Sequence, residues 1–198
     1  MARPNIQRDI LSAARSLFNK QGYASVTMRQ IADSVGISPG NLTYHFARKQ
    51  DIVTALMADA FENTLVNDPV DSLRQVNDMF ARMLRTILAN PFYFLDAAFW
   101  DAQSHRTHNG QIRQRLCAGL GRLVDQGLFV PALTKDRIEA LVQVLLMTHM
   151  TWLRNTVRGS ETMTEGDLLR LHWLVLEPYF TPKGAAEYAE MQKSPPFV

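Results

Sequence analysis

Apolar residues recur along this chain at spacings of three and four, and no segment alternates apolar and polar positions long enough to read as a strand. Ile10, Ala14, Leu17 and Phe18 mark one face of a first helix, which Gly22 can end by taking a left-handed conformation that a side chain would resist. Thr27 with Gln30 three residues on fits a capping box, with Ile31 and Val35 as the buried face behind it. Gly36 breaks that helix. Ser38 then supplies a cap and Pro39 a first-turn proline for a helix of about two turns, in which Leu42 and Phe46 point the same way.

Longer helices follow. Val53, Leu56, Met57, Ala60, Phe61, Thr64 and Leu65 form one stripe, predicting a fourth helix from about Lys49 to Val66 that joins two regions. Asp68 and Pro69 end it, and Leu73, Val76, Phe80, Met83 and Ile87 mark a fifth that stops at Asn90 and Pro91. A sixth, dense in aromatics, holds Phe92, Tyr93, Phe94, Phe99 and Trp100, and a seventh, striped by Ile112, Leu116, Leu120 and Leu123, stops near Gly127. The eighth, capped by Thr134, and the ninth, from about Thr164 to Tyr179, are apolar nearly all round. Such helices need cover on several sides, which predicts a homodimer. The remainder, Thr181 to Val198, reads as a surface tail with at most one short helical turn. The predicted fold is all-α, with a three-helix module over residues 1–50 and a larger helical domain over 51–198.

Composition excludes several classes. No apolar run approaches the roughly 20 residues that a bilayer span needs, and Met1 to Ile10 are polar, so neither a membrane span nor a secretory signal is expected. The one cysteine, Cys117, supplies neither an internal disulfide nor a thiolate cluster for zinc, in keeping with a reducing cytoplasm. The net charge of +2 hides an asymmetry: residues 1–50 hold seven Lys or Arg against Asp9 and Asp33, whereas the rest holds 14 basic and 17 acidic side chains. A basic front on an acidic body suggests a small module that faces a polyanion.

The chemistry concentrates between Thr27 and Asp51. Two short helices across a glycine turn make a helix-turn-helix, whose second helix is narrow enough to enter a major groove. With Leu42 and Phe46 turned inward, Asn41, Thr43, Tyr44 and His45 are left facing wholly or partly outward, a hydrogen-bonding and aromatic set. Gly40 leaves room for close backbone approach, and the helix's amino end offers amides to phosphate.

The run from Thr27 to Asp51, with Gly36-Ile37-Ser38, Leu42, His45-Phe46 and Lys49 as its most specific parts, resembles the DNA-binding domain of the tetracycline-repressor (TetR/AcrR) family over about residues 6–56. The resemblance implies a long linking helix, an all-helical ligand-binding body and dimerisation through the last two long helices. It also implies that Arg29 reaches a base or phosphate, that Asn41, Tyr44 and His45 read or pack against the groove, and that Lys49 holds a phosphate. Thr43 departs from the family's usual tyrosine, so either Tyr44 partly replaces that contact or one phosphate contact is weaker. The candidate DNA-contacting set is thus Thr27, Arg29, Ser38, Gly40, Asn41, Thr43, Tyr44, His45 and Lys49.

A regulator of this design needs an effector site, and an apolar cavity between helices five to eight is its default position. Candidate lining residues are Phe92, Phe94, Phe99 and Trp100 on one stretch, and His149, Trp152 and His172 on another, although residues of these types at helical spacing also serve as plain core. His105 and His108 lack partners at ligand spacing, so no metal is expected. No phosphate-cradling glycine loop, nucleophile elbow or same-face carboxylate pair appears, and neither catalysis nor a cofactor is expected. The reading is a cytoplasmic, homodimeric regulator, most simply a repressor, that binds a palindromic double-stranded DNA operator and answers to an unidentified small molecule. The alternative is a helical small-molecule-binding or scaffold protein that does not bind DNA.

Overall fold

A computed structural model describes residues 6–64, 69–96, 99, 103–157, 159–160 and 162–193 of the chain. Ten α-helices lie among them: α1 (Ile6–Gln21), α2 (Met28–Val35), α3 (Pro39–His45), α4 (Lys49–Thr64), α5 (Leu73–Ala89), α6 (Pro91–Leu95), α7 (Gln103–Asp125), α8 (Lys135–Val157), α9 (Glu165–Leu176) and α10 (Pro182–Lys193). The fold is all-α, as the apolar spacing requires. Among the described residues no helix is long and apolar enough to cross a membrane, and no cluster of three or more His, Cys, Asp or Glu side chains is placed to hold a metal ion.

Two apolar clusters organise the chain. The front cluster gathers Ile10, Ala14 and Phe18 of α1, Ile31 of α2, Leu42 of α3 and Ile52, Val53, Leu56 and Met57 of α4. It does not stop at the end of the helix-turn-helix: Ile87 of α5, Phe92 to Phe94 of α6, Phe99 and Leu153 of α8 belong to it as well. The body cluster is built by α5, α7, α8, α9 and α10 around Phe80, Leu116, Leu120, Val142, Leu145, Trp173 and Leu176.

Three expectations are corrected. The aromatic sixth helix is shorter than expected: α6 ends at Leu95, and Phe99 follows in a 3-10 turn whose amide donates to the Asp96 carbonyl at 3.1 Å. Trp100, placed on that helix from the sequence, lies outside the described residues. The ninth helix also stops early, at Leu176, where Pro178 tightens the chain into a 3-10 turn over Glu177–Tyr179.

The largest correction concerns the tail, which was expected to lie on the surface with one short turn. Instead α10 runs for 12 residues and buries Gly184, Tyr188 and Met191 against the body. A β-bridge pairs Phe129 with Phe180, and the Thr181 amide donates to the Leu128 carbonyl at 3.0 Å, which brings the tail alongside the α7–α8 connection. Gly184 permits this docking, because a Cβ there would stand 2.0 Å from the Leu128 carbonyl oxygen. Tyr188 then stacks among Trp173 and Phe180, at 5.1 and 5.4 Å between ring centroids.

Candidate functional site

The helix-turn-helix is held by caps that its own sequence supplies. Thr27 opens α2 with the capping box: its Oγ1 accepts from the Gln30 amide at 3.2 Å, while its own amide donates to Gln30 Oε1 at 2.7 Å. Gly36, at φ 73°, closes α2 in the left-handed conformation, and the Ile37 amide reaches back to the Ala32 carbonyl at 3.1 Å. Ser38 Oγ accepts from the Asn41 amide at 3.1 Å and starts α3, with Pro39 in the first turn. Leu42, fully buried, fastens α3 to the core. The geometry of α3 is therefore set within 20 residues of chain and one buried leucine.

What α3 presents outward follows from that anchor. Tyr44 is 87% exposed, far more than any other large apolar or aromatic side chain of the front. Gly40, Asn41 and Thr43 are exposed beside it, and His45 is half-buried with its ring edge-on to Tyr44 at 5.3 Å. Thr43 turns its hydroxyl back to the Pro39 carbonyl at 2.8 Å, so in this state it is occupied within its own helix. Thr27 and Ser38 are exposed but committed to their caps. Arg29 lies on the exposed side of α2, 3.9 Å from Asp33, a water-screened pair that holds it only loosely.

Lys49 has a role that the sequence did not reveal. Its ammonium donates to the carbonyls of Tyr23 and Val26, each at 2.6 Å, and sits 4.2 Å above the Tyr23 ring. It thereby ties the start of α4 to the loop between α1 and α2, and partial burial lowers its pKa. Two of its three hydrogens are used, leaving one for any phosphate. Arg48 is likewise restrained, because Asp51 accepts both its amide at 2.9 Å and its guanidinium at 3.2 Å.

Tyr23 extends the site toward the body. Its hydroxyl donates to Gln50 Oε1 at 3.3 Å and its ring meets Phe99 edge-on at 4.9 Å. Burial, and secondarily the Asp96 charge, raise the phenol's pKa. Phe18 packs on Phe92 at 5.1 Å between ring centroids, and Asn19 Nδ2 donates to the Ala89 carbonyl at 2.9 Å. On sequence alone Phe92 and Phe99 are candidate effector-lining residues, and Asn19, Tyr23 and Gln50 have no place in this contact. The only available signal was the aromatic pair Phe18 and Tyr23 flanking the end of the first helix.

The candidate effector residues do not assemble as one set. Phe92, Phe94 and Phe99 are buried in the front cluster, where they serve the seam with the helix-turn-helix. His149, Trp152 and His172 lie in the body. Trp152 donates its indole hydrogen to the Met163 carbonyl at 2.9 Å, and the two imidazoles stack with centroids 4.5 Å apart. Burial pushes His149 down to about 4, and burial together with the adjoining His149 pushes His172 down to about 2, so both rings are neutral near pH 7.

Residues 10–56 match the family model of bacterial regulatory proteins, tetR family. The chain is 35% identical over 80 residues to the HTH-type transcriptional regulator UidR of Escherichia coli, a match that spans 39% of this chain and 40% of UidR. It is 24% identical over 160 residues to the HTH-type transcriptional repressor KstR2 of Mycobacterium tuberculosis, covering 74% of this chain and 80% of KstR2. A TetR-family transcriptional regulator of Marinobacter aquaeolei shares the fold across 94% of this chain and 97% of its own, with TM-score 0.81 at 21% identity. Residues 10–56, which hold the capped helix-turn-helix, thus match the tetR family of bacterial regulatory proteins, and the chain as a whole shares its all-helical fold with a TetR-family regulator.

Proposed function

We propose that the protein is a cytoplasmic, homodimeric transcription regulator of the repressor type, in which residues 1–50 read DNA and residues 51–198 bind an effector and a second subunit. The observation that carries this reading is the exposure of Tyr44 on a helix whose neighbouring Leu42 is wholly buried. An aromatic ring held in water at that cost, flanked by Asn41 and Thr43, suits base edges and sugar-phosphate in a major groove. The half-buried His45 is placed to pack at the groove's margin, and Arg29 to leave its loose pair for a phosphate. Gly40 permits close approach, Thr27 and Ser38 act by fixing the two helices, and the third hydrogen of Lys49 is available to the backbone. The relatives UidR and KstR2 are named as a transcriptional regulator and a transcriptional repressor, which agrees with the reading.

A second subunit is supported by exposed apolar side chains on α8 and α9. Val144, Met147 and Leu174 are each half or more exposed on the helices whose other faces form the core. Covering this face with its copy would place two α3 helices on one face of a duplex, with half-sites about 34–36 Å apart or a related spacing. An effector would then act by changing that separation, for which a coupling of about 1–3 kcal/mol suffices.

Selection of bound duplexes from a random pool tests the proposal. The expected outcome is enrichment of a palindrome, with Tyr44→Ala and Asn41→Ala each lowering preference for it by about tenfold or more, the equivalent of one good base contact. Unselective recovery of duplexes by the wild-type dimer would reject DNA reading in favour of a binding or scaffold role.

A further inference from the structure

The body buries polar groups whose hydrogen-bonding capacity is only half used. His149 of α8 and His172 of α9 are 1% and 0% exposed, and Phe80 of α5 lies against both rings, at 6.2 and 4.7 Å between centroids. Their tautomers follow from their partners. His149 Nδ1 lies 2.9 Å from the Leu145 carbonyl oxygen, which only accepts, so Nδ1 carries the hydrogen and Nε2 has a bare lone pair. Thr148 gives its single hydroxyl hydrogen to the same carbonyl at 2.7 Å. His172 Nε2, 3.3 Å from Thr148 Oγ1, must therefore be the donor of that contact, which leaves Nδ1 bare.

Among the described residues, neither His149 Nε2 nor His172 Nδ1 meets a hydrogen-bond partner. Asn77, one turn before Phe80 on α5, shares the condition. Its Oδ1 accepts from the Trp173 indole at 3.0 Å, an assignment fixed because an indole can only donate, and its buried Nδ2 is left without an acceptor. An unmet buried group costs about 1–3 kcal/mol, and native cores rarely gather several in one place. Two acceptors and one donor at the junction of α5, α8 and α9 describe the complement of a ligand.

Charge narrows what that ligand is. Among the described residues no Asp, Glu, Lys or Arg falls in the buried set, although the Nε atoms of Arg15 and Arg82 are themselves buried. A carboxylate would set its lone pairs against those of the imidazoles, and an ammonium would be buried without a carboxylate in the buried set to balance it. A hydroxyl group donates to a bare nitrogen and brings no charge.

We propose that His149, His172 and Asn77 form the polar subsite of the effector pocket, and that the effector is an uncharged, largely apolar alcohol or phenol. Its O–H groups donate to the bare imidazole nitrogens, and an oxygen accepts from Asn77 Nδ2. Phe80 covers the apolar portion. This rests on the reading of the body as an effector-binding domain, and it names the chemical class that domain takes.

The test uses the full chain with matched probes: 2-naphthol, cyclohexanol and decanol, each beside its methyl ether, its carboxylate and its amine. Binding is followed by indole fluorescence and by histidine 15N chemical shifts, and DNA selection is run in parallel on the same protein. The expected result is that at least one alcohol binds about tenfold or more tightly than its ether, the equivalent of one hydrogen bond, and moves the His149 Nε2 or the His172 Nδ1 signal. His149→Phe and His172→Phe keep a stacked ring without the lone pair, and they should abolish that preference while the ether still binds. Preference for a carboxylate or amine, equal binding of alcohol and ether, or indifference of every probe in a protein whose two nitrogens are bonded to water overturns the proposal. DNA selection separates the failures: a palindrome recovered without alcohol binding sinks only this inference, whereas alcohol binding without DNA selectivity sinks only the regulator.

Discussion

The front of the molecule and its body treat polar groups in opposite ways. Among the described residues of α1 to α4, no polar residue falls in the buried set, although Arg15 Nε is a buried atom without a hydrogen-bond partner, and the polar groups that cap the short helices are satisfied within a few residues: Thr27 by Gln30, Ser38 by the Asn41 amide, Arg48 by Asp51. In the body, Asn77, His149 and His172 are buried with atoms unmet. The first arrangement suits a rigid form whose chemistry faces outward. The second keeps its chemistry inside and leaves it unfinished.

The strongest way to break this contrast is at the front core. Phe18→Ala removes a fully buried ring that contacts both Tyr23 and Phe92, and it should cost about 3–5 kcal/mol in denaturant unfolding. A loss below about 1 kcal/mol would mean that the front is not held by that core.

Next in size is pH. Because His149 titrates near 4 when folded and near 6.5 when unfolded, the unfolded chain binds the proton first as pH falls. The stability of the neutral ring is complete above about pH 6.5 and is lost progressively toward pH 4, by about 3 kcal/mol. His149→Phe should lessen the pH dependence of unfolding free energy across that window, leaving the part that the buried neutral His172 contributes, and an unchanged slope would show that the His149 ring is not buried neutral. The smallest effect is expected at Lys49→Met, which leaves the Tyr23 and Val26 carbonyls to water and should cost about 1 kcal/mol. A fall of about 0.9 in the salt slope of DNA binding would add a phosphate contact to its role, and an unchanged slope would confine it to the loop.

Legibility in the sequence followed distance along the chain. The capping box, the Gly36 break and the Ser38-Pro39 start could be read because donor and acceptor lie within three or four residues, and the inward Leu42 follows from helical period alone. Lys49 announced only a basic residue at a helix start, since the carbonyls it holds belong to residues 23 and 26. The tail was misread because its helix depends on Gly184 meeting a carbonyl at residue 128, which no local pattern announces. Phe92 and His149 looked alike as pocket candidates, because periodicity says that a side chain is covered without saying by what.

The seam at Phe92 and Phe99 bears on how such a protein can change over generations. These rings fill space for α6 and for the helix-turn-helix at once, in an interior too dense to absorb a misfit. A substitution there alters two neighbourhoods with a single event. The shape of α6 is therefore constrained by the two duties its rings share.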